Sequence, residues 1–195
     1  MPRWYNETRT GTEACLGVSD VRLELNITND PSSSAIDVLR KTVVSENNRI
    51  SLPIDVDRVA QRLGLIVERM PLNQGTDGML VRTRPHDDFR AVISTSSSEH
   101  RARFTLAHEI GHFVRQYYEC GDEEVGGVIE FRDRNSSTGT DENEVWANAF
   151  AAALLMPPQL ISRMWGDGAS VEEMCSVLNV SEEAMRNRLC HLGLR

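Results

Sequence analysis

The sequence predicts an α+β fold, and three observations support that prediction. A long central segment has apolar residues at helical spacing, short β-type runs precede it, and further helical segments follow it to the end of the chain. The chain has 195 residues, 40% of them hydrophobic, which is enough for one sizeable core. We therefore expect a helical core with a small three-stranded sheet and a helix-turn-helix-like segment at the C-terminus.

Residues 1–45 are predicted to be an N-terminal extension that is partly disordered. Before residue 33 the apolar residues recur without a clear period, and residues 29–34 are a polar run with one proline and three serines, which is typical of a loop. One strand is expected at Val21 to Ile27, and the apolar residues between Ile36 and Val43 suggest a first helix.

Residues 46–165 are predicted to form the core. A helix is expected from Asp55 to Leu63, where Gly64 ends it. Three short β-type runs separated by turn sequences follow, at Leu65 to Arg69, Met79 to Arg82 and Arg90 to Ser94.

Two long helices complete this core. The first is expected from about Ser98 to Tyr118, because its apolar residues keep helical spacing, no proline interrupts them, and Ser97 or Ser98 offers a polar start. The second is expected from Asn143 to Met156, with Pro157 ending it.

Residues 166–195 are predicted to form the helix-turn-helix-like segment. A helix at about Pro158 to Trp165 precedes it, and helices at Val171 to Leu178 and Glu182 to Leu189 have the required length and turn. The last helix carries Arg186, Asn187 and Arg188, residue types that read DNA bases. Because both helices also begin with glutamates, a structural or partner-docking unit is favoured over DNA binding.

Composition excludes several classes of protein. No run of about 18 apolar residues is present, and the first 30 residues are too polar for a signal peptide, so a cytoplasmic, soluble protein is expected. The cysteines, which form no C-x-x-C pair, are expected to be reduced thiols. They are Cys15, Cys120, Cys175 and Cys190.

The net charge of −8 is concentrated in one segment. Between Glu119 and Glu144 there are nine acidic residues against Arg132 and Arg134, a local charge of −7. Such a segment binds phosphate backbones poorly and suits a basic partner, although a simple solvated loop is the favoured explanation.

The motif His108-Glu109-Ile110-Gly111-His112 lies inside the first long helix. Residues four apart share a helix face, so both imidazoles can reach one zinc ion (Zn²⁺) while Glu109 polarises a water molecule. A zinc hydrolase is therefore predicted, with His108 and His112 as metal ligands and Glu109 as the catalytic carboxylate.

A third protein ligand is needed, because catalytic zinc sites normally have three and keep one position open. Glu119, Cys120 and the acidic segment can supply one, and so can Glu144 on the next rigid helix. Asn148 lies one turn from Glu144 and can orient that carboxylate or a histidine. Alternatively, Glu144 forms a capping box with Asp141 and binds no metal.

Two sequence blocks and the chain's ending resemble the ImmA/IrrE family of zinc metallopeptidases. The blocks are Arg103 to Phe113 around the motif and Glu144 with Ala147 to Pro157, and the ending contains Val180-Ser181, Arg188-Leu189 and Leu192-Gly193-Leu194. Their order and spacing match the family's, and the similarity extends from about Ile54 to the C-terminus.

The resemblance implies a zincin-like metallopeptidase core, in which His108, His112 and Glu144 bind zinc and Glu109 is catalytic. It also implies that the substrate is a helix-turn-helix transcriptional repressor encoded nearby, in prophage, mobile-element, stress or toxin-antitoxin regulation. Two other functions stay open: a non-proteolytic partner-binding module that keeps the zinc fold, and a DNA-binding regulator.

The sequence also suggests two details of catalysis. The strand Arg90 to Ser94 can receive a substrate segment by edge pairing. Candidates for a second oxyanion donor are His86, His100, Tyr117, Tyr118 and His191.

Overall fold

The computed structural model describes residues 23–44, 49–82, 88–124, 129–133 and 142–195, with the backbone alone for residues 117–124 and 129–133. Within these ranges the chain forms seven helices and four strands. The helices are α1 (Pro31–Thr42), α2 (Val56–Arg62), α3 (Glu99–Glu124), α4 (Glu142–Leu155), α5 (Pro158–Gly166), α6 (Val171–Leu178) and α7 (Glu182–His191). The strands are β1 (Ile66–Met70), β2 (Thr76–Val81), β3 (Arg90–Ser94) and β4 (Ile129–Asp133).

The sheet is mixed, in the order β1-β3-β2-β4. β3 pairs in parallel with β1 and antiparallel with β2, and β4 joins the other edge of β2 antiparallel. The three predicted strands are therefore present as β1, β3 and β2, and β4 is an additional strand in the acidic segment. Edge pairing of a substrate on Arg90 to Ser94 was a wrong prediction, because both sides of β3 already bind neighbouring strands.

Helix α3 occupies the centre of the molecule, between the sheet and α4. Its apolar stripe, which includes Leu106, Ile110 and Phe113, is buried, and the helix packs on β2 and β3 on one side and on α4 on the other. α1 in turn covers α4. Because α4 is covered on both sides, its buried residues surround the helix and do not follow a single stripe.

The helix boundaries follow local sequence signals. Ser98 accepts a hydrogen bond from the Arg101 amide at 3.4 Å, as expected for a polar start to α3. Asp55 caps α2 in the same way, and Gly64 follows that helix with a φ of +79° that favours glycine. Pro158 occupies the first turn of α5, and α4 ends at Leu155, one residue before the predicted Met156.

The N-terminal prediction needs two corrections. Residues 23–27 form no strand, and residues 21 and 22 lie outside the described ranges. α1 was assigned to the extension of residues 1–45, but its Ala35, Val38 and Leu39 are buried in the central core. The segment before it is anchored too, since the Trp146 indole donates a hydrogen bond to the Thr28 carbonyl at 3.3 Å.

α6 and α7 form at the predicted positions and pack into the same core as α3. Their buried residues Met174, Leu178, Met185 and Leu189 belong to one hydrophobic cluster with the residues of α3 and α4. The turn between the two helices, residues 179–181, contacts the start of α3, because Asn179 donates to Glu99 at 2.6 Å and its carbonyl accepts from Arg103 at 3.3 Å.

Of the cysteines, the described Cys175 and Cys190 are free thiols, as predicted. Among the described helices none is by itself both long and apolar enough to cross a membrane, whereas α4 and α5 taken together, with a 51° bend between them, reach both limits.

Gly78 in β2 sets how closely α3 approaches the sheet. A Cβ atom at this position would lie 2.4 Å from Thr105 Cγ2 and 3.2 Å from Ile93 Cδ1. We expect Gly78→Ala to lower the free energy of unfolding by about 1–3 kcal/mol through overpacking. Adding Thr105→Ser, which removes Cγ2 and keeps the hydroxyl, should restore most of the loss in a urea titration. An equally destabilised double variant would contradict this account of the packing.

Candidate metal centre

The first two candidate ligands lie on the buried face of α3. His108, Glu109 and His112 are 0%, 1% and 4% exposed. The imidazoles are one helical turn apart, with ring centroids separated by 4.5 Å and their Nε2 atoms by 2.8 Å. Two ring nitrogens are thus directed at the same point, as a shared ion requires.

Glu144, near the start of α4, supplies the third donor. Its carboxylate lies 3.0 Å from His112 Nε2 and 3.5 Å from His108 Nε2. The donor atoms of His108, His112 and Glu144 all lie within 4.8 Å of one another. The structure therefore brings together the three residues predicted as ligands.

The separations fit a zinc ion. Nitrogen and oxygen ligands bind zinc at 2.0–2.2 Å, so two of them at tetrahedral angles are separated by roughly 3.3–3.5 Å. The separation of 3.5 Å matches that value, and those of 2.8 and 3.0 Å are shorter than it by up to about 0.5 Å. Two imidazoles and one carboxylate also form a donor set that catalytic zinc sites use.

Asn148 fixes one of the rings from behind. Its Oδ1 lies 3.1 Å from His108 Nδ1, on the opposite side of the imidazole from the Nε2 that faces the cluster. A hydrogen bond from Nδ1–H holds the ring in the tautomer that leaves Nε2 free to bind a metal. Asn148 thus contacts one of the two histidines, as the prediction that it orients a carboxylate or a histidine requires.

Gly111 lets α4 come close enough to place Glu144. A Cβ atom there would lie 3.1 Å from Phe150 Cδ1 and 3.3 Å from the Ala147 Cα. Even a Cβ atom there would require Phe150 or α4 to shift by a few tenths of an ångström. The motif glycine therefore fits the close approach of the two helices.

The other candidates for ligands and oxyanion donors are placed only in part. The Glu119, Cys120, Tyr117 and Tyr118 side chains, with Asp141 and His86, lie outside the described residues. Glu144 faces both histidines, so its side chain is at the cluster. His100 bonds Asn179 Oδ1 at 3.0 Å, and His191 is exposed.

A cavity of about 760 Å³, which was not predicted from the sequence, lies beside the cluster. It lies between the first turns of α3, one side of α4, and α7, and Asn148 contributes to its wall. The signal in the sequence is the row of small residues Asn148, Ala149 and Ala152 on α4, which leaves space beside that helix.

The family model of the IrrE N-terminal-like domain, a peptidase family, matches residues 60–190. The chain belongs to this family. The match includes α3 and α4, and thus every donor atom of the cluster, and it agrees with the resemblance seen in the sequence. Membership in the IrrE-like peptidase family supports metal-dependent peptide hydrolysis at this cluster. A search of curated proteins finds no match to the chain.

We expect His108→Ala and His112→Ala to lose the zinc that the wild type retains, because two remaining ligands hold a catalytic ion poorly. Glu144→Gln should weaken zinc binding, and Asn148→Ala should weaken it about 10–100-fold through the loosened ring. The zinc content of the purified variants measures the loss of the ion, and competition with a chelator measures the weakened affinity.

His191→Ala, which changes an exposed histidine outside the cluster, is the matched control. Full zinc content in both motif variants would show that the metal binds elsewhere. Unchanged affinity in Glu144→Gln would instead make Asp141 or Glu142 the third ligand.

Proposed function

We propose that this IrrE-like peptidase is a zinc-dependent endopeptidase that acts in the cytoplasm. The convergence of the His108, His112 and Glu144 donor atoms within 4.8 Å carries the proposal. Glu109, buried on the same helical turn, supports hydrolysis over simple metal storage, because storage needs no general base.

The chain's own residues account for the proton transfers of peptide hydrolysis. Zinc, when bound by His108, His112 and Glu144, supplies a Lewis acid that polarises the peptide carbonyl and activates water. Glu109 accepts the proton of the attacking water and then donates it to the leaving amine. Asn148 keeps His108 oriented throughout, and the burial of the two histidines limits access of bulk water.

A helix-turn-helix repressor encoded nearby is the substrate that the family resemblance favours. Cleavage of such a protein would release genes of a prophage, a mobile element, a stress response or a toxin-antitoxin pair. The charge of −7 between Glu119 and Glu144 adds support, since it attracts a basic DNA-binding protein.

The alternative is a non-proteolytic module that binds its partner and retains the zinc fold. The buried general base beside a complete donor set favours the enzyme. DNA binding through α7 has less support, because Arg188 is 3% exposed and Arg186 forms an ion pair with Glu182 at 2.6 Å. Both arginines predicted as base readers are thus occupied within the protein or buried.

We expect Glu109→Gln to keep its zinc and its fold while the cleavage rate falls by about 100-fold to 10,000-fold, because the amide cannot accept the proton. The assay combines zinc content, thermal melting and mass analysis of fragments from the neighbouring repressor. Glu172→Gln, an exposed glutamate at the start of α6, serves as the control. If the Glu109→Gln variant cleaves as fast as the wild type, Glu109 is not the general base.

The zinc-loaded protein should cut that repressor at one or a few sites and leave unfolded casein largely intact. Attraction by the acidic segment should make cleavage slower at high salt, since the field decays over about 10 Å at 0.1 M. Rapid, salt-insensitive digestion of casein would contradict both statements. An intact repressor held in a stable complex would favour the binding module.

A further inference from the structure

The cavity beside the metal cluster has the size and lining of a binding site. Its volume of about 760 Å³ is within the range of ligand pockets. Apolar atoms of Phe104, Ala149, Ala152 and Leu155 form much of its wall. Asn148 both lines the cavity and bonds His108 Nδ1, so this residue links the cavity to the metal cluster from behind the His108 ring.

Arg188 on α7 places a buried cation in this wall. The residue is 3% exposed, and its Nε donates to the Met156 carbonyl at 3.0 Å. Its Nη2 is buried with no hydrogen-bond partner, and within the described part of the chain no carboxylate forms an ion pair with it.

An uncompensated buried guanidinium is costly, because it has lost its hydration without gaining an anion. Burial lowers the pKa of Arg188, yet an arginine remains protonated at neutral pH. An apolar residue in this position would avoid the cost. The cavity is therefore suited to a ligand that brings the missing negative charge.

The other charged groups that line the cavity do not balance the positive charge of Arg188. Arg101 is held by Asp77 through bonds of 2.9 and 2.5 Å, so its charge is already balanced. Glu183 is exposed, and of the two histidines His191 is exposed and His100 bonds Asn179. Arg188 is thus the buried charge that a ligand would neutralise.

We propose that the cavity is a substrate-docking site outside the metal cluster, in which Arg188 binds a carboxylate of the peptide. The proposal rests on the proposed peptidase function. It assigns specificity to a residue that lies outside the metal cluster and on the C-terminal helix. Either an acidic side chain or the C-terminal carboxylate of the substrate can supply the group.

Cleavage-site profiling with a mixed peptide library tests the proposal on the zinc-loaded full chain. One half of the library has free C-termini and the other has amidated C-termini. We expect Asp or Glu at one fixed position relative to the cut, with at least about a tenfold preference over Gln or Asn. If cuts instead fall at a fixed distance from free C-termini and vanish on amidation, the bound group is the terminal carboxylate.

Arg188→Met should lose this preference and Arg188→Lys should retain part of it. Arg163→Met, at an exposed arginine of α5 outside the cavity, should behave as wild type. A wild-type profile without acidic or terminal preference, or the same preference in Arg188→Met, would overturn the proposal.

Binding to the wild type gives a second readout that needs neither a variant nor catalysis. N-acetyl-glutamate amide should raise the melting temperature more than N-acetyl-glutamine amide does at equal ionic strength. If no library peptide is cut, the peptidase function fails while this comparison still decides the role of Arg188. Equal shifts with the two compounds would then reject the carboxylate site.

Discussion

The close approach of α4 to α3 at Gly111 is the constraint on which the candidate metal centre depends. With Gly111 against Ala147 and Phe150, the Glu144 carboxylate reaches both histidine rings, 3.0 and 3.5 Å away. Other contacts hold α4 in that position. The Trp146 indole bonds Thr28, and the Arg115 guanidinium of α3 lies 5.2 Å from the Trp146 ring centroid. The segment before α1 thus helps to position a ligand far away in sequence.

The elements with strong local signals could be predicted from the sequence. α3 and α4 have long apolar patterns without interruption, and prolines or glycines mark several helix ends, so their positions follow from periodicity. The motif gave His108 and His112 directly, because residues four apart share a helix face. Glu144 was undecided on spacing alone, since the same residue fits a capping box. The structure places its carboxylate beside the histidines because α4 packs on α3. Such a long-range contact cannot be predicted from a local sequence pattern.

The errors arose where tertiary context decides the outcome. β4 has only a short alternation of Ile129 and Phe131 with charged residues, within a segment dominated by acidic side chains. β3 was considered as an edge strand, but its place between β1 and β2 depends on strand order. Arg188 was grouped with DNA-reading residues because composition does not reveal that a side chain is turned into a cavity. α7 forms one wall of the cavity, and Asn148, which bonds His108, lies in another wall.

X-ray absorption at the zinc edge of the purified protein tests the metal centre most directly. The account predicts two imidazole nitrogens at about 2.0–2.1 Å and oxygen ligands at about 2.0–2.2 Å, with no sulfur. His112→Ala, if it retains any zinc, should lose one imidazole from the spectrum. Sulfur ligands at about 2.3 Å, or zinc bound without histidine, would contradict the assignment of His108, His112 and Glu144 as the metal site.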